Sequence, residues 1–334
     1  MAFNKLRYLL HSGKNSKLKF YIRCYIRKMT PAAFFRMHTD NLLDEIEKRS
    51  DKEYIHNRAN YYNKLTTDNH IDTDKWKKEA IATKEQPMTE QTVYYHDSME
   101  IARYFAPDRK WILLPGDITH VPELPTIVKS RPLCENNNNS VLINMDKVRH
   151  FLFVNDKTPW REKLNTAIFR GDLGPRKENR NIFMRQFGNG QSTMVDAGST
   201  NDMNEDPNWK KEKLTIADHL KYKFVMSLEG NDVASNLKWV MSSNSIAVMP
   251  RPTCETWFME GSLIPNYHYI EVKEDFSNLE ERLNYYIEHP EEAEAIIEHA
   301  HEYVSQFKDK KRELLISLLV FKKYFKLTNT DGIQ

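Results

Sequence analysis

The stretch DHLKYKFVMSLEGNDVASNLK, residues 218–238, is the part of the chain that decides its fold. Residues 224–228 form a short apolar run rich in β-formers, which is typical of a buried strand. The polar turn that follows ends with Asn231 and Asp232, and either side chain is suited to cap a helix. We therefore predict a strand, a tight loop and a helix that begins at Val233.

The loop in this stretch has the composition of an anion site. Residues 245–249 read as the next strand, so the segment forms a βαβ unit. Gly230 lies in the loop, where the free backbone N–H groups of a helix N-terminus and the helix dipole would face a ligand. Lys238, further along the helix, would add positive charge. An ordinary βαβ unit with a solvated loop fits the local pattern equally well.

Elsewhere in the chain, predicted strands alternate with predicted helices. The strands are expected at residues 110–114, 126–128, 166–170 and 267–272, and the helices at 279–286, 290–307 and 316–325. Residues 148–154 fit either a strand or a helix, and residues 188–206 read as mostly surface loop. This alternation predicts an α/β protein with parallel sheets. Strand-end loops at Asp117, Gly171 and Gly230 predict a ligand cleft between two domains, because ligands bind beyond the carboxyl ends of such strands.

The composition is that of a globular protein without a disulfide framework. Of 334 residues, 40% are hydrophobic and 29% are charged, which excludes a disordered chain. Cys24, Cys134 and Cys254 are odd in number and far apart, so they indicate a reducing compartment and no metal cluster. No apolar run reaches the length of a membrane-spanning helix, and no signal-peptide core follows the basic N-terminus. We predict a cytoplasmic protein.

The N-terminal segment 1–39 has an unusual charge distribution. It contains nine Lys or Arg and no acidic residue, so it carries +9; because the whole chain carries +2, the remaining 295 residues carry −7. Its cations are interleaved with aromatic and aliphatic residues, a pattern that suits an anionic membrane surface. Packing on the body of the protein and nucleic-acid binding are the alternatives, although no nucleic-acid motif accompanies the segment.

Several motifs in fixed order resemble glycosyltransferase family 90, which includes lipopolysaccharide-modifying transferases and the protein O-glucosyltransferases of animals. The motifs lie within residues 110–305, and the bacterial branch fits best. They are PGDITHVP (115–122), IFRGD (168–172), DHLKYKF (218–224), LEGNDVASNLKW (228–239), ETWFMEG (255–261) and LIPNYHYIEV (263–272).

The resemblance implies a GT-B fold, in which two Rossmann-like domains face each other across a cleft. We accordingly divide the chain into a basic amphipathic segment (1–39), an acceptor-side domain (40–160), a domain that binds a UDP-sugar (161–305) and a C-terminal helix (306–334). The resemblance further implies an inverting enzyme that uses a UDP-sugar and needs neither a metal nor a cofactor.

Asp117 matches the catalytic aspartate of the family by its position after an apolar strand and before Val-Pro. An inverting transfer needs one base that takes the proton of the acceptor hydroxyl, and Asp117 is expected to be that base rather than a turn residue after Gly116. His120 is a second candidate on the acceptor side, where a surface histidine is the alternative.

The remaining expected site residues surround the departing diphosphate. Arg170, which ends a strand, is placed to hold phosphate in bidentate fashion, with Arg176 as a second arginine. This chain has Leu173 and Gly174 where the family carries another arginine, and Asn236 where animal members carry one. The full expected donor set is Arg170, Gly171, Asp172, Arg176, Glu229, Gly230, Asn231, Asp232, Ala234, Ser235, Asn236, Lys238, Glu255 and Glu260.

Some assignments within this set remain open at the level of sequence. Glu255 or Glu260 is expected to bind the ribose hydroxyls, unless both are solvated carboxylates. Trp239 and Trp257 are predicted to lie in the core rather than to stack on sugars.

The predicted function is transfer of a hexose, glucose or galactose, from a UDP-sugar to a lipopolysaccharide core or a related glycan. The protein is expected to work as a peripheral enzyme on the inner face of the cytoplasmic membrane, without nucleic acid as a partner. A non-catalytic nucleotide- or glycan-binding module of the same fold is the alternative, motivated by the two missing arginines.

Overall fold

A computed structural model of the chain describes Tyr8 and residues 12–329. Of the basic segment 1–39, residues 1–7 and 9–11 lie outside this described part. The α-helices, numbered in chain order, are α1 (Lys17–Met29), α2 (Ala32–Glu47), α3 (Lys52–Tyr62), α4 (Thr73–Glu79), α5 (Thr92–Ala102), α6 (Lys147–His150), α7 (Glu178–Phe187), α8 (Ile216–His219), α9 (Leu237–Met241), α10 (Leu279–Glu288), α11 (Pro290–Ser305) and α12 (Lys310–Thr328). The strands are β1 (Ile81–Ala82), β2 (Lys110–Trp111), β3 (Thr126–Val128), β4 (Ser130–Pro132), β5 (Ser140–Leu142), β6 (Leu164–Gly171), β7 (Val195–Ser199), β8 (Tyr222–Met226), β9 (Ile246–Met249), β10 (Cys254–Thr256) and β11 (Ile270–Glu271).

The described chain forms two units, each assembled from separate pieces. The first unit, which we call the sheet unit, contains residues up to Asn15, Val148–Thr253 and Glu260–Gln306. The second, the helical unit, contains Ser16–Lys147, Cys254–Met259 and the residues from Phe307 onward.

The sheet unit is built on a parallel five-stranded sheet in the order β7-β6-β8-β9-β11. Relative to the order of these strands along the chain, this is the 2-1-3-4-5 arrangement of a doubly wound α/β sheet. The order reverses between β6 and β8, so their carboxyl ends diverge into loops that leave a crevice. A ligand site is therefore expected at the ends of these two strands.

The core of the sheet unit explains why these segments became strands. The apolar runs of β6, β8 and β9 are buried on both faces, as parallel strands between helices must be. Phe169, Phe183, Phe224 and Val248 belong to one apolar cluster that joins the sheet to α7 and the C-terminal helices of the unit. The expected strands 166–170 and 245–249, and the expected helices 279–286 and 290–307, are thus confirmed.

The predicted helix start at Val233 is wrong, because α9 begins only at Leu237 and has five residues. Residues 231–236 form a loop that is fixed by side chains instead. The Asn236 amide donates to the carbonyl of Met226 at 3.0 Å, and Asn236 itself makes no side-chain cap of the helix. A helix of this length has a small dipole, so the anion-site argument from a helix N-terminus loses its basis.

The prediction that residues 188–206 are surface loop is also wrong in part, because β7 lies within them. The glycine content of this range predicted a loop, but Gly198 lies within the strand and is required there for close packing. A Cβ on Gly198 would lie 2.7 Å from Cβ of Lys211, so the glycine allows the neighbouring chain to approach β7 closely.

Other expected elements are shorter than predicted or differ in type. Only Lys110–Trp111 and Ile270–Glu271 are strands within 110–114 and 267–272. In 148–154 the helix α6 ends at His150. The strand 126–128 is confirmed as β3.

The helical unit contains α1–α5 and α12 with three two-stranded sheets, β1-β2, β3-β5 and β4-β10. The predicted helix 316–325 is confirmed as part of α12, which packs on α2, α3, α5 and β2. The described residues of this unit form no doubly wound sheet, so the expected second Rossmann-like domain is not what this part of the chain builds. The predicted C-terminal helix 306–334 belongs, where described, to the same unit as α2 and α3.

Candidate functional site

The crevice at the ends of β6 and β8 is a polar cavity of about 230 Å³, which we call the switch-point cavity. Five basic side chains line it, together with one carboxylate, Asp172. The side chains on which the argument depends are Lys14, Arg170, Asp172, Arg180, Lys213, His219, Ser235 and Asn236. This surplus of positive charge in a partly desolvated crevice is the environment that a phosphate group requires.

Arg170 lies in the cavity, but its fork is occupied. Both terminal nitrogens are engaged: Nη2 donates to the two carboxylate oxygens of Asp196 at 2.9 Å, and Nη1 donates to the carbonyls of Phe169 and Asp196. Its Nε is buried and makes no hydrogen bond with the described residues. Both terminal nitrogens of Arg170 are thus engaged by the protein, and the expected bidentate grip on phosphate stays a prediction.

Asp196 explains why Arg170 is held in this way. Its carboxylate also accepts from Lys211 Nζ at 2.8 Å. Burial acts to raise the pKa of Asp196, but the hydrogen bonds and charges of Arg170 and Lys211 lower the pKa below its usual value. Asp196 therefore stays ionised and fixes the arginine at the end of β6.

Arg180, which the sequence reasoning missed, joins the two strand-end loops. From α7 it donates to the carbonyls of Leu228 (3.1 Å) and Glu229 (3.1 Å) after β8, and to that of Asp172 (3.0 Å) after β6. These bonds use Nε and one hydrogen on each Nη. The guanidinium has five N–H groups, so donors remain for a ligand in the cavity.

Two glycines make room for this guanidinium. A Cβ on Gly230 would lie 3.0 Å from Nη2 of Arg180, and a Cβ on Gly171 would lie 2.6 Å from Cζ of Phe169 and 3.4 Å from Nη1. The glycines of the two expected loops are thus explained by close packing around Arg180. The sequence signal for this residue was an arginine, Arg180, in the first turn of the helix that follows the first loop. The expected Arg176, by contrast, is exposed and does not line the cavity.

Asp172 and His219 set the charge of the cavity. Burial acts to raise the pKa of Asp172, but the hydrogen bond from Thr200 and the charges of Lys177, Lys213 and Arg180 lower it. Burial lowers the pKa of His219, whose Nδ1 contacts the carbonyl of Thr215 at 2.8 Å. His219 is therefore neutral at pH 7, and its ring contacts Trp239 edge to face.

A second cavity of about 240 Å³ lies in the sheet unit along the same loop after β8. The expected residues Glu229, Ala234 and Glu260 line it. Glu229 accepts from the backbone N–H (3.0 Å) and the hydroxyl (2.6 Å) of Thr253. We call this the loop cavity.

Lys238 does not supplement an exposed site. Its ammonium is fully buried and forms a 2.5 Å ion pair with Glu260, which is also buried. A buried pair of this kind is strongly destabilised when one partner is removed, so Lys238 holds Glu260 in the wall of the loop cavity.

Glu255 belongs to the helical unit. It pairs across β4 and β10 with the buried Arg131, whose Nε donates at 2.8 Å, and it accepts a hydrogen bond from the hydroxyl of Tyr61. The prediction that Trp239 and Trp257 lie in the core is confirmed, since both are buried and Trp257 stacks on Tyr62 at 3.8 Å.

Asp117 lies in the helical unit on the loop after β2. The loop is fixed by the Ser130 hydroxyl, which accepts from the N–H of Ile118 and donates to its carbonyl. The ammonium of Lys129, almost fully buried, forms an ion pair with the Asp117 carboxylate. His120 is exposed.

The described residues contain no group of three or more His, Cys, Asp or Glu placed to hold a metal ion. Among the described helices, none combines the length and the hydropathy that crossing a bilayer requires.

Comparison with known proteins agrees with the motifs. The family model for glycosyl transferase family 90 matches residues 140–332. The chain is 36% identical over 313 residues to O-glucosyltransferase LpsA of Dichelobacter nodosus, which covers 93% of this chain and 96% of that protein. It is 27% identical over 159 residues to protein O-glucosyltransferase 1 of Homo sapiens, which covers 44% of this chain and 38% of that protein.

Proposed function

Because this chain belongs to glycosyltransferase family 90, we propose that it transfers a hexose from a UDP-sugar to a lipopolysaccharide core or a related glycan, with inversion at the anomeric carbon. The observation that carries the proposal is the positive cavity at the switch point of the parallel sheet. Glucose is the favoured donor sugar because the full-length relative is named an O-glucosyltransferase.

The diphosphate of the donor is assigned to the switch-point cavity. Free N–H donors of Arg180 and the ammonium of Lys213 would bind the two phosphates, and the guanidinium of Arg170 would add its positive charge. Such preorganised cations stabilise the charge that develops on the leaving UDP. The loop after β8 contributes Ser235 and Asn236 to the same cavity.

The nucleoside is assigned to the loop cavity. Of the two acidic candidates for the ribose, Glu260 is favoured, because it lines a cavity of the sheet unit while the carboxylate of Glu255 is engaged by Arg131 and Tyr61 in the helical unit. The buried Lys238 pairs with Glu260 and orients its carboxylate.

Asp117 is the proposed general base. It would take the proton of the acceptor hydroxyl while that oxygen forms a bond to the anomeric carbon and the bond to UDP breaks. The ion pair with Lys129 orients the carboxylate of Asp117. The acceptor is expected to lie in a membrane, which residues 1–39 would contact through their nine cations.

The proposal is tested by measuring UDP release from a panel of UDP-sugars, with lipopolysaccharide core oligosaccharides as acceptors and with EDTA present. We expect release that the acceptor stimulates and that is strongest with UDP-glucose. UDP binding without turnover on any acceptor would indicate the non-catalytic module instead. Absence of UDP binding would contradict the donor site itself.

The base is tested with Asp117→Asn. Loss of general base catalysis is expected to lower kcat by about 10²–10⁴-fold, with UDP affinity unchanged. Asp108→Asn, an exposed aspartate of the same unit, is the matched control and should retain full activity. Equal activity of both variants would refute the assignment of Asp117.

A further inference from the structure

The helix α1 presents a largely exposed apolar face. Its members recur at i, i+4, i+7, i+8 and i+11, which places them on one side of the helix. They are Leu18, Ile22, Tyr25, Ile26 and Met29, all at least half exposed and up to 85% for Met29. We call them the apolar face.

Cations flank the apolar face on both sides. In projection, Lys19 and Arg23 lie along one edge and Lys17 and Lys28 along the other. The opposite side of α1 packs on the helical unit through the buried Cys24. An apolar stripe between two rows of cations is the arrangement of a helix that lies in the interface of an anionic bilayer.

A cavity of about 240 Å³ lies between α1, α2 and α5, and Cys24, Arg27 and Lys28 form its wall on α1. Its charged lining is almost entirely basic, with Glu100 as the acidic member. The basic members are Arg27, Lys28, Arg36, Lys84, His96 and Arg103. We call it the α1–α5 cavity.

Several cations of the α1–α5 cavity are not neutralised by the protein. Arg27 pairs with Glu100 at 2.9 Å, and Glu100 also pairs with Lys147 at 2.6 Å. Lys28 and Arg36, by contrast, have no acidic partner within the part of the chain that the structure describes. The cavity therefore keeps a net positive charge.

Two buried polar atoms of the lining also lack a hydrogen-bond partner among the described residues. They are Nε2 of His96, whose side chain is 6% exposed, and Nε of Arg103. The rest of Arg103 is fixed, since Nη2 donates to the carbonyl of Thr30 at 2.6 Å and the guanidinium lies 4.1 Å from the ring of Phe35. Buried polar atoms without partners are costly. An anionic oxygen in the cavity would accept from Nε–H of Arg103, and from His96 in the tautomer that carries the proton on Nε2.

We propose that the α1–α5 cavity binds the phosphate of an anionic phospholipid while the apolar face of α1 inserts among the acyl chains of the same leaflet. This inference rests on the membrane contact in the proposed function, but not on the sugar chemistry. Under this proposal, the basic residues bind one lipid at a defined site, and this fixes the orientation of α1 on the membrane.

The first test is co-sedimentation of the full chain with vesicles of phosphatidylcholine and phosphatidylglycerol. Arg36→Gln and Lys28→Gln remove cations of the cavity, whereas Arg23→Gln and Lys19→Gln remove the same charge from α1 outside the cavity. We expect each control to bind about fivefold more weakly than the unmodified chain. Arg36→Gln should bind at least about tenfold more weakly than the controls, since its charge-assisted bond to phosphate is also lost. Soluble glycerol 1-phosphate should weaken binding of the unmodified chain but not of Arg36→Gln.

The second test addresses insertion. Ile26→Ser on the apolar face is compared with Ile264→Ser, a similarly exposed isoleucine of the sheet unit. We expect about tenfold weaker vesicle binding for the first and no change for the second.

Equal losses of vesicle affinity for the cavity variants and the control variants would overturn the lipid site. They would indicate that only the total charge of the segment matters for membrane binding. Binding to phosphatidylcholine alone, or preferential binding to single-stranded RNA at the same salt, would also overturn it. UDP binding measured on the same variants should stay unchanged, so failure of the donor assignment and failure of the lipid site are distinguished.

Discussion

At the scale of single residues, the site depends on side chains that act through fixed partners. Arg170 was expected to grip phosphate, but its two terminal nitrogens make four hydrogen bonds at the end of β6. Three of these bonds go to Asp196 and one goes to the carbonyl of Phe169. Arg180 instead provides the link between the two strand-end loops and retains donors for a ligand. Arg180 lies in α7, outside both loop motifs, so motif reading overlooked it.

Arg180→Lys is expected to lower UDP affinity by about tenfold or more and the free energy of unfolding by about 1–3 kcal/mol. Lysine cannot reach three carbonyls in two loops, and buried acceptors that lose their donors are costly. Calorimetric titration with UDP and urea unfolding measure the two effects. The matched control is Arg176→Lys, which should change neither quantity because Arg176 is exposed outside the cavity. A larger loss of affinity in the control would reverse the assignment.

Asp97 in α5 should make stability depend on pH in an unusual direction. Burial raises its pKa to about 6, although the charge of Lys147 acts to lower it. Between about pH 4 and 6 the unfolded chain loses this proton while the folded chain keeps it, so the contribution of Asp97 to stability falls as the pH rises.

The corresponding variant is Asp97→Asn, which resembles the protonated form. Over this window the unmodified chain should lose up to about 3 kcal/mol relative to the variant. Denaturant unfolding at several pH values measures the difference. A constant difference across the window would contradict the expectation.

At the scale of elements, α12 shows that a segment can look peripheral in sequence and be central in packing. It was predicted as a separate C-terminal helix, yet one side of it is buried against α2, α3 and α5. Glu313 in its first turn pairs at 2.5 Å with the buried Arg58 of α3 and accepts from the indole of Trp257. The helix therefore completes the core of the helical unit.

Truncation after residue 309 is expected to unfold the helical unit. The truncation would remove large apolar side chains of α12 from the core. Each of them contributes about 1.5–3 kcal/mol to the free energy of unfolding when fully buried. These are Leu315, Ile316, Leu318, Val320, Phe321, Tyr324 and Phe325. Truncation after residue 329 removes no described contact and is the control. Circular dichroism and limited proteolysis compare the two; a stable chain ending at 309 would contradict this account.

At the scale of the whole molecule, the units do not follow blocks of sequence. Residues 254–259 and those from Phe307 onward join the helical unit, although the residues between them belong to the sheet unit. The predicted domains 40–160 and 161–305 remain predictions about acceptor and donor roles. The sheet unit contains both cavities that we assign to the donor, and the helical unit contains Asp117.

Hydrogen exchange should therefore respond to UDP in one unit. We expect slower exchange at residues 170–173 and 228–236, where the two loops line the cavities, and unchanged exchange in the cores of α3 and α12. Ligand binding to the native state protects amides in the segments that it stabilises. Protection confined to the helical unit would place the nucleotide elsewhere.

The sequence by itself determined the strands β6, β8 and β9, the glycine loops that follow two of them, and the family. These features follow from local periodicity and from motifs whose residues lie close together in the chain, so no long-range contact is needed to recognise them. The same reasoning correctly placed Trp239 and Trp257 in the core.

Only the tertiary structure decided which groups are engaged and which are available. Arg170 is held by Asp196, Glu255 by Arg131, and Lys238 by Glu260, and all three partners are distant in sequence. It also moved the start of the expected helix from Val233 to Leu237, because Arg180 of α7 and Asn236 hold the loop after β8 in another conformation. A residue's type fixes the bonds that it can form, but burial and the neighbours brought by the fold determine which of those bonds it makes.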